Sequence, residues 1–325
     1  MVLLLALILS FTSPVAASQK NSEKNKETPA GTPVLWREPS DIAGRNLLLG
    51  PGGAAMRPDT RSLSFIKQET GGFSTKYRVR DGSGREWVAK VGKEAQSETA
   101  AVRLLWAVGY LTEINYLVSC ASIKGAPHDR KKHQGACGAG EFENVRLEAR
   151  PEAVERLDAW KWKENPFVGT KELQGLIVMM ALLNNWDIKD TNNKILLVRR
   201  DEGERPQLHY IISDLGATFG KVKLDVPGFW RLARSRNTPK DYADDSFIED
   251  VKNGQVFFFY KGKNQDLFDD INIEEAKWIG GWLARLSDEQ IADAFRAANY
   301  SPEEVRVLTQ SVRARIEELA RLPVS

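Results

Sequence analysis

The chain has 325 residues, 42% of them hydrophobic and 28% charged, the balance of a globular protein with room for one large domain or two lobes sharing a cleft. The formal net charge is only +2, so composition gives no electrostatic case for binding nucleic acid or a membrane surface. Nine tryptophans are many for this length, and several are expected in the core, where each buries a large area with one polar atom to satisfy.

Residues 1–17 differ in kind from the rest. An apolar run over 2–11 is followed by Thr12-Ser13-Pro14 and the small residues Val15-Ala16-Ala17. This is the apolar core and cleavage site of a secretory signal peptide, although no Lys or Arg precedes the run. The run is too short to span a bilayer, and no later segment stays apolar for about eighteen residues, so no membrane span is expected. The chain is expected to be exported, to the periplasm or the medium. Residues 18–40 are expected to form a flexible linker, polar, Lys-rich and Pro-punctuated up to Pro33. Gly50-Pro51-Gly52-Gly53 marks a loop.

From residue 63 the pattern becomes strand-like. Runs at 64–67, 76–80 and 86–91 are separated by Gly71-Gly72 and by Asp81-Gly82-Ser83-Gly84. That turn chemistry predicts an antiparallel meander of three strands. Residues 94–109 read as a helix, with Ala101, Leu104, Leu105 and Val108 at helical spacing and Gly109 as its stop. Strands are expected at 116–123 and 144–149. Cys120 and Cys137 fit one disulfide in an oxidising compartment. With His128 and His133 they also make a Cys-His-His-Cys set for zinc, at no standard spacing, and unpaired thiols are a third reading.

The second half reads as mainly helical. A helix is expected at 170–184 with Thr170 as N-cap, then strands at 195–199 and 208–213 around a charged turn. Further helices are expected at 274–286, 287–298 and 301–319, the last two opened by the capping-box patterns Ser287-Asp288-Glu289-Gln290 and Ser301-Pro302-Glu303-Glu304. The fold class is therefore α+β and two-lobed. An antiparallel β lobe with one helix is expected over 41–155 and a mainly helical lobe over 156–325.

Chemistry concentrates in four places. Asp187, Lys189 and Asn192 form Asp-x-Lys-x-x-Asn. Phosphoryl transfer needs a carboxylate to take the acceptor's proton, a cation to offset charge on the moving group, and an amide oxygen to ligate metal. Asp214 sits at a strand end before Leu215-Gly216, suited to a carboxylate bridging metal and phosphate. Lys90 ends Val88-Ala89-Lys90 on the third meander strand, where it could hold phosphates. Glu94 and Glu98, one turn apart, are available to pair with it, and Glu98 is preferred because it lies deeper in the helix. The backbone amides at Gly71 and Gly72 could cover a phosphate.

These parts, in this order, resemble the protein-kinase-like superfamily over roughly residues 63–220. The resemblance is nearer the atypical members, HipA-like, CotH-like and secretory-pathway kinases. It implies a two-lobed kinase-like fold that uses ATP and Mg²⁺ or Mn²⁺. Asp187 and Lys189 would be catalytic. Gly71, Gly72, Ser74, Lys90 and Glu98 would bind nucleotide, and Asn192 and Asp214 would bind metal. The acceptor, whether protein, sugar or lipid, is not implied. The departures are Trp186 before the catalytic Asp, Gly71-Gly72-Phe73-Ser74 in place of a full glycine loop, Leu215 for Phe, a longer Asn192-to-Asp214 hairpin, and no Ala-Pro-Glu. An inactive nucleotide- or partner-binding module, and nucleotidyl transfer with the nucleotide turned round, remain open beside phosphoryl transfer.

Overall fold

In the computed structural model, residues 29–69, 74–127, 137–199, 203–222 and 234–323 are described. The expected signal peptide, the first part of the expected linker, Gly71, Gly72, His128 and His133 lie outside them. The elements run β1 (Thr32–Val34), β2 (Leu63–Glu69), β3 (Thr75–Arg80), β4 (Glu86–Val91), α1 (Glu94–Ala107), β5 (Asn115–Lys124), β6 (Glu141–Ala149) and β7 (Val154–Arg156). After the crossover come α2 (Lys171–Leu182), β8 (Asn193–Val198), β9 (Gln207–Ile212), α3 (Pro239–Ala243), β10 (Ile248–Lys252), β11 (Gln255–Phe258), α4 (Ile273–Leu283), α5 (Asp288–Arg296) and α6 (Pro302–Ala320). This is the two-lobed α+β architecture expected from the sequence.

The meander forms as the turn chemistry requires. Asp81 organises its second turn, accepting from Ser83 N at 2.9 Å and Arg85 N at 3.0 Å, while its other oxygen accepts from buried Trp87 Nε1 at 2.9 Å. The meander does not stay open. β6 joins β4, β5 joins β6, and β5 returns to β2 in parallel, Leu63 opposite Ile123, closing a five-stranded barrel. Strand alternation then sorts side chains by face. Tyr77, Val79, Trp87, Ala89, Val145 and Leu147 fill the barrel, while the residues between them face the other lobe.

Cys120 and Cys137 are bonded, with Cα atoms 5.6 Å apart. With both sulfurs in the bridge, neither is available to zinc as a thiolate. The bond clips the middle of β5 to the chain entering β6, over a separation of 17 residues. Removing it should lower stability by about 3 kcal/mol, the loop-closure value for a ring of this size. Guanidinium unfolding of a Cys120→Ser/Cys137→Ser protein beside wild type measures this, and coincident midpoints would contradict it.

The second lobe is built on α2, whose residues from Leu173 to Leu182 are almost all buried. Thr170 caps it, accepting from Leu173 N at 3.3 Å. Its last carbonyls meet Arg315 of α6, which is 3% exposed and donates to Leu182 O at 2.8 Å and to Asn184 Oδ1 at 2.8 Å. A cation there satisfies orphan carbonyls and complements the helix dipole. The same guanidinium lies 4.0 Å over the Tyr242 ring, so the chain leaving α2 is fixed just ahead of Asp187. α5 and α6 both open with the expected capping boxes, at Ser287 and Ser301.

β1 lies within the stretch expected to be a flexible linker. It pairs in parallel with β9, Thr32 opposite Gln207 and Val34 opposite His209, completing the sheet β1-β9-β8-β7. The physical reason is the apolar triplet after Pro33. Leu35 is 2% exposed, and Trp36 donates to Val108 O at 2.7 Å. Among the described residues, no helix is long and apolar enough to cross a membrane.

Candidate active site

A cleft of about 1110 Å³ runs between the barrel and the second lobe, lined by Ser74, Lys90, Glu94, Glu98, Asp187, Lys189, Asn192 and Asp214 among others. Every described residue singled out from the sequence for nucleotide, metal or catalysis therefore borders one space.

Lys90 is its centre. The residue is 2% exposed, and its ammonium lies 2.8 Å from Glu98, 3.1 Å from Glu94 and 3.4 Å from Asp214. Burial alone would lower its pKa. The carboxylates of Glu98, Asp214 and Glu94 outweigh burial and hold the ammonium above the ordinary lysine range. Both candidate helix partners are used, in different ways. Glu98 is fully buried, whereas Glu94 also accepts from Ser74 Oγ and pairs with Arg236. α1 is seated by Ser97 Oγ donating to Gly216 O at 3.0 Å. A Cβ at Gly216 would sit 2.8 Å from Glu94 Cβ, so the glycine after Asp214-Leu215 is required by the close approach of α1.

The loop from Trp186 to Asn192 is held by its own hydrogen bonds. Asn192 Nδ2 donates to Asp187 O at 2.5 Å and to Asp187 Oδ2 at 3.4 Å, and Lys189 Nζ lies 2.8 Å from Asp187 Oδ2. Trp186, in place of the usual residue, donates Nε1 to Ser235 O at 2.9 Å and stacks under Arg236, whose guanidinium carbon is 4.8 Å from the ring centre. β8 and β9 tie this loop to Asp214, because the amides of Ser213 and Asp214 both donate to Asn192 O, at 2.8 and 3.2 Å. The long hairpin between them leaves this junction intact.

Asp214 has one oxygen engaged and one open. Oδ1 meets Lys90 and accepts from Gly216 N at 3.2 Å, and the carboxylate is 42% exposed. Burial works against its charge, yet Lys90 and the Gly216 amide hold it below the usual carboxylate range. Asn192 spends its NH₂ on Asp187, which leaves its amide oxygen for another partner. A free carboxylate oxygen and a free amide oxygen are hard donors of the type Mg²⁺ and Mn²⁺ take, so the residues present fit such an ion.

The sequence reading missed what stands behind Lys90. Arg146, 3% exposed, lies 3.1 Å from Glu98 and 2.7 Å from Glu148. Glu148 also pairs with Arg150, and Arg156 lies 2.6 Å from Glu113. Ser213 Oγ, one residue before Asp214, donates to Glu113 at 2.9 Å. Burial and neighbouring Glu148 push Glu113 up to about 7. The available signal was the alternation of Val145, Leu147 and Ala149 with Arg146 and Glu148, which reads as a strand with one face charged.

No family model and no curated protein matches the chain. Among solved structures, it is similar to the Helicobacter pylori proinflammatory kinase CtkA, at 11% identity and a TM-score of 0.43, covering 79% of this chain and 95% of that one. It is also similar to the Rio2 kinase from Chaetomium thermophilum, solved as an ADP/Mg²⁺-phosphoaspartate complex, at 14% identity and a TM-score of 0.32, covering 81% of this chain and 74% of that one. At these scores neither likeness assigns a role to any residue.

Proposed function

We propose that the protein is an exported, atypical kinase-like phosphotransferase that uses ATP with Mg²⁺ or Mn²⁺ and acts on a hydroxyl-bearing protein, sugar or lipid. The observation that carries this reading is the pairing of Lys90 with Asp214 across the cleft at 3.4 Å, with Asn192 bonded to the Asp214 backbone. A cation for phosphate and two hard oxygen donors then border one cleft.

In this reading Asp214 and Asn192 hold the metal, which supplies charge neutralisation of the phosphates. Lys90, oriented by Glu98 and Glu94, binds phosphate oxygens. Asp187 accepts the proton as the acceptor oxygen bonds to the γ-phosphorus and the bond to the β-phosphate oxygen breaks, releasing ADP. Lys189, paired with Asp187, offsets charge on the transferring group. The disulfide supports export, since such bonds persist in oxidising compartments.

Asp187→Asn separates an enzyme from a binding module. The transfer rate should fall at least about a hundredfold while nucleotide affinity stays within about threefold, because this carboxylate serves the acceptor rather than the nucleotide. Phosphate release from γ-labelled ATP, with affinity measured by calorimetry, gives both numbers. An unchanged rate would show that transfer does not depend on Asp187, and a wild type that binds nucleotide without any transfer would leave a nucleotide-binding module.

A further inference from the structure

The end of the cleft nearest the connection between the lobes has the wrong walls for a nucleobase. A base is held between apolar surfaces with its edge read by backbone groups. Across the roof, β3, β4 and β6 present two rungs. The first is Lys76, Lys90 and Arg146, level with Asp214, and the second, nearer the connection, is Arg78, Val88 and Glu148. The floor of the cleft offers Lys194 and Arg156, the latter 3.5 Å from Glu148 of the second rung. Among the described residues lining the whole cleft, Val88 and Trp186 alone have apolar side chains.

Several backbone groups of the connection that could read a base edge are already engaged. The Ala149 amide donates to Ile114 O at 2.9 Å and the Arg150 amide to Glu86 O at 3.2 Å. Pro151 has no N–H. The Ala149 carbonyl accepts from the Arg150 guanidinium at 3.1 Å.

Charge makes the positive case. Glu148 and Glu113 are shared by Arg146, Arg150 and Arg156. Lys76, whose charge acts on Asp214 from beyond ion-pair distance, and Lys194 line opposite walls, both only partly exposed and neither in an ion pair among the described residues. Cations gathered on facing walls of one cleft repel one another and draw an anion into it. Resting on the phosphotransferase reading, we infer that the inner end of this cleft is a second anion subsite that takes a phosphate group in place of a nucleobase. That phosphate comes either from the nucleotide itself, lying phosphates-inward, or from a phosphorylated acceptor beside it.

The test is calorimetric titration of inorganic triphosphate, ATP, GTP and adenosine, in Mg²⁺, into wild type and Lys194→Glu. Triphosphate should bind wild type and weaken about tenfold or more in the variant, the size of one lost charge-assisted contact. ATP and GTP should bind within about threefold of each other, since no base pocket distinguishes them. Triphosphate that displaces ATP, with ATP weakened by Lys194→Glu as much as triphosphate is, assigns the subsite to the nucleotide's own phosphates, and triphosphate that binds the ATP-saturated protein assigns it to a phosphorylated acceptor. Lys194→Ala, which adds no charge, replaces Lys194→Glu if the latter does not fold. ATP binding that adenosine competes away, with no triphosphate binding and no effect at Lys194, would overturn the inference and leave the phosphotransferase reading standing. Failure of both ATP and triphosphate to bind would overturn both.

Discussion

Asp214→Asn should weaken Mg²⁺-dependent nucleotide binding at least about a hundredfold and remove turnover with it. Changes even behind a metal's ligands cost about 10–100-fold in metal affinity or activity, and Asp214 is the proposed ligand itself. The substitution keeps the shape and the Gly216 contact but removes the charge that faces Lys90 at 3.4 Å. The fold should survive, because Lys90 keeps Glu98 at 2.8 Å and Glu94 at 3.1 Å, and the Asp214 carboxylate is 42% exposed. Calorimetry with and without Mg²⁺, alongside thermal unfolding of the same preparation, separates a lost site from a lost fold. Undiminished Mg²⁺-dependent binding by a folded variant would remove Asp214 from the metal site.

Glu98→Ala should be the most destabilising single change in the cleft, at about 3–5 kcal/mol. Its carboxylate lies between two buried cations, Lys90 at 2.8 Å and Arg146 at 3.1 Å. Removing one member of a buried charge network leaves its partners in a medium that solvates them poorly, and that penalty sets the size of the effect. Lys90 and Arg146 each retain another carboxylate, Glu94 and Glu148, which places the loss toward the lower end of the range. Glu98→Gln, which keeps hydrogen-bonding capacity but not charge, should fall between wild type and alanine. Guanidinium unfolding gives the comparison, and an alanine variant within about 1 kcal/mol of wild type would show that the network does not depend on Glu98.

What was legible in the sequence was local. The helices over 170–184 and 301–319 carry their caps in adjacent residues, and the structure has them as Lys171–Leu182 and Pro302–Ala320. That Lys90, Asp187, Asn192 and Asp214 border one cleft was foreshadowed because each sits at a fixed offset within a short motif. Glu98 was preferred to Glu94 for its depth in the helix, and both carboxylates meet Lys90. Barrel closure was not readable, since it depends on Leu63 meeting Ile123 across the whole lobe. Arg146 and Arg156 escaped because their partners are brought to them by folding. The hairpin β10–β11 was missed although Asn253-Gly254 signals it. Both residues have positive φ, 52° and 80°, the geometry that Asn-Gly adopts in two-residue hairpin turns.

The most direct test of the central claim is the thermal stability of the wild-type protein with ATP, in Mg²⁺ and in chelator. A phosphotransferase cleft organised around Asp214 and Asn192 predicts an ATP-dependent rise in Tm that requires the metal and grows with nucleotide concentration, as linkage demands of a ligand that binds only the folded state. No rise with any nucleotide, or an equal rise in chelator, would contradict it.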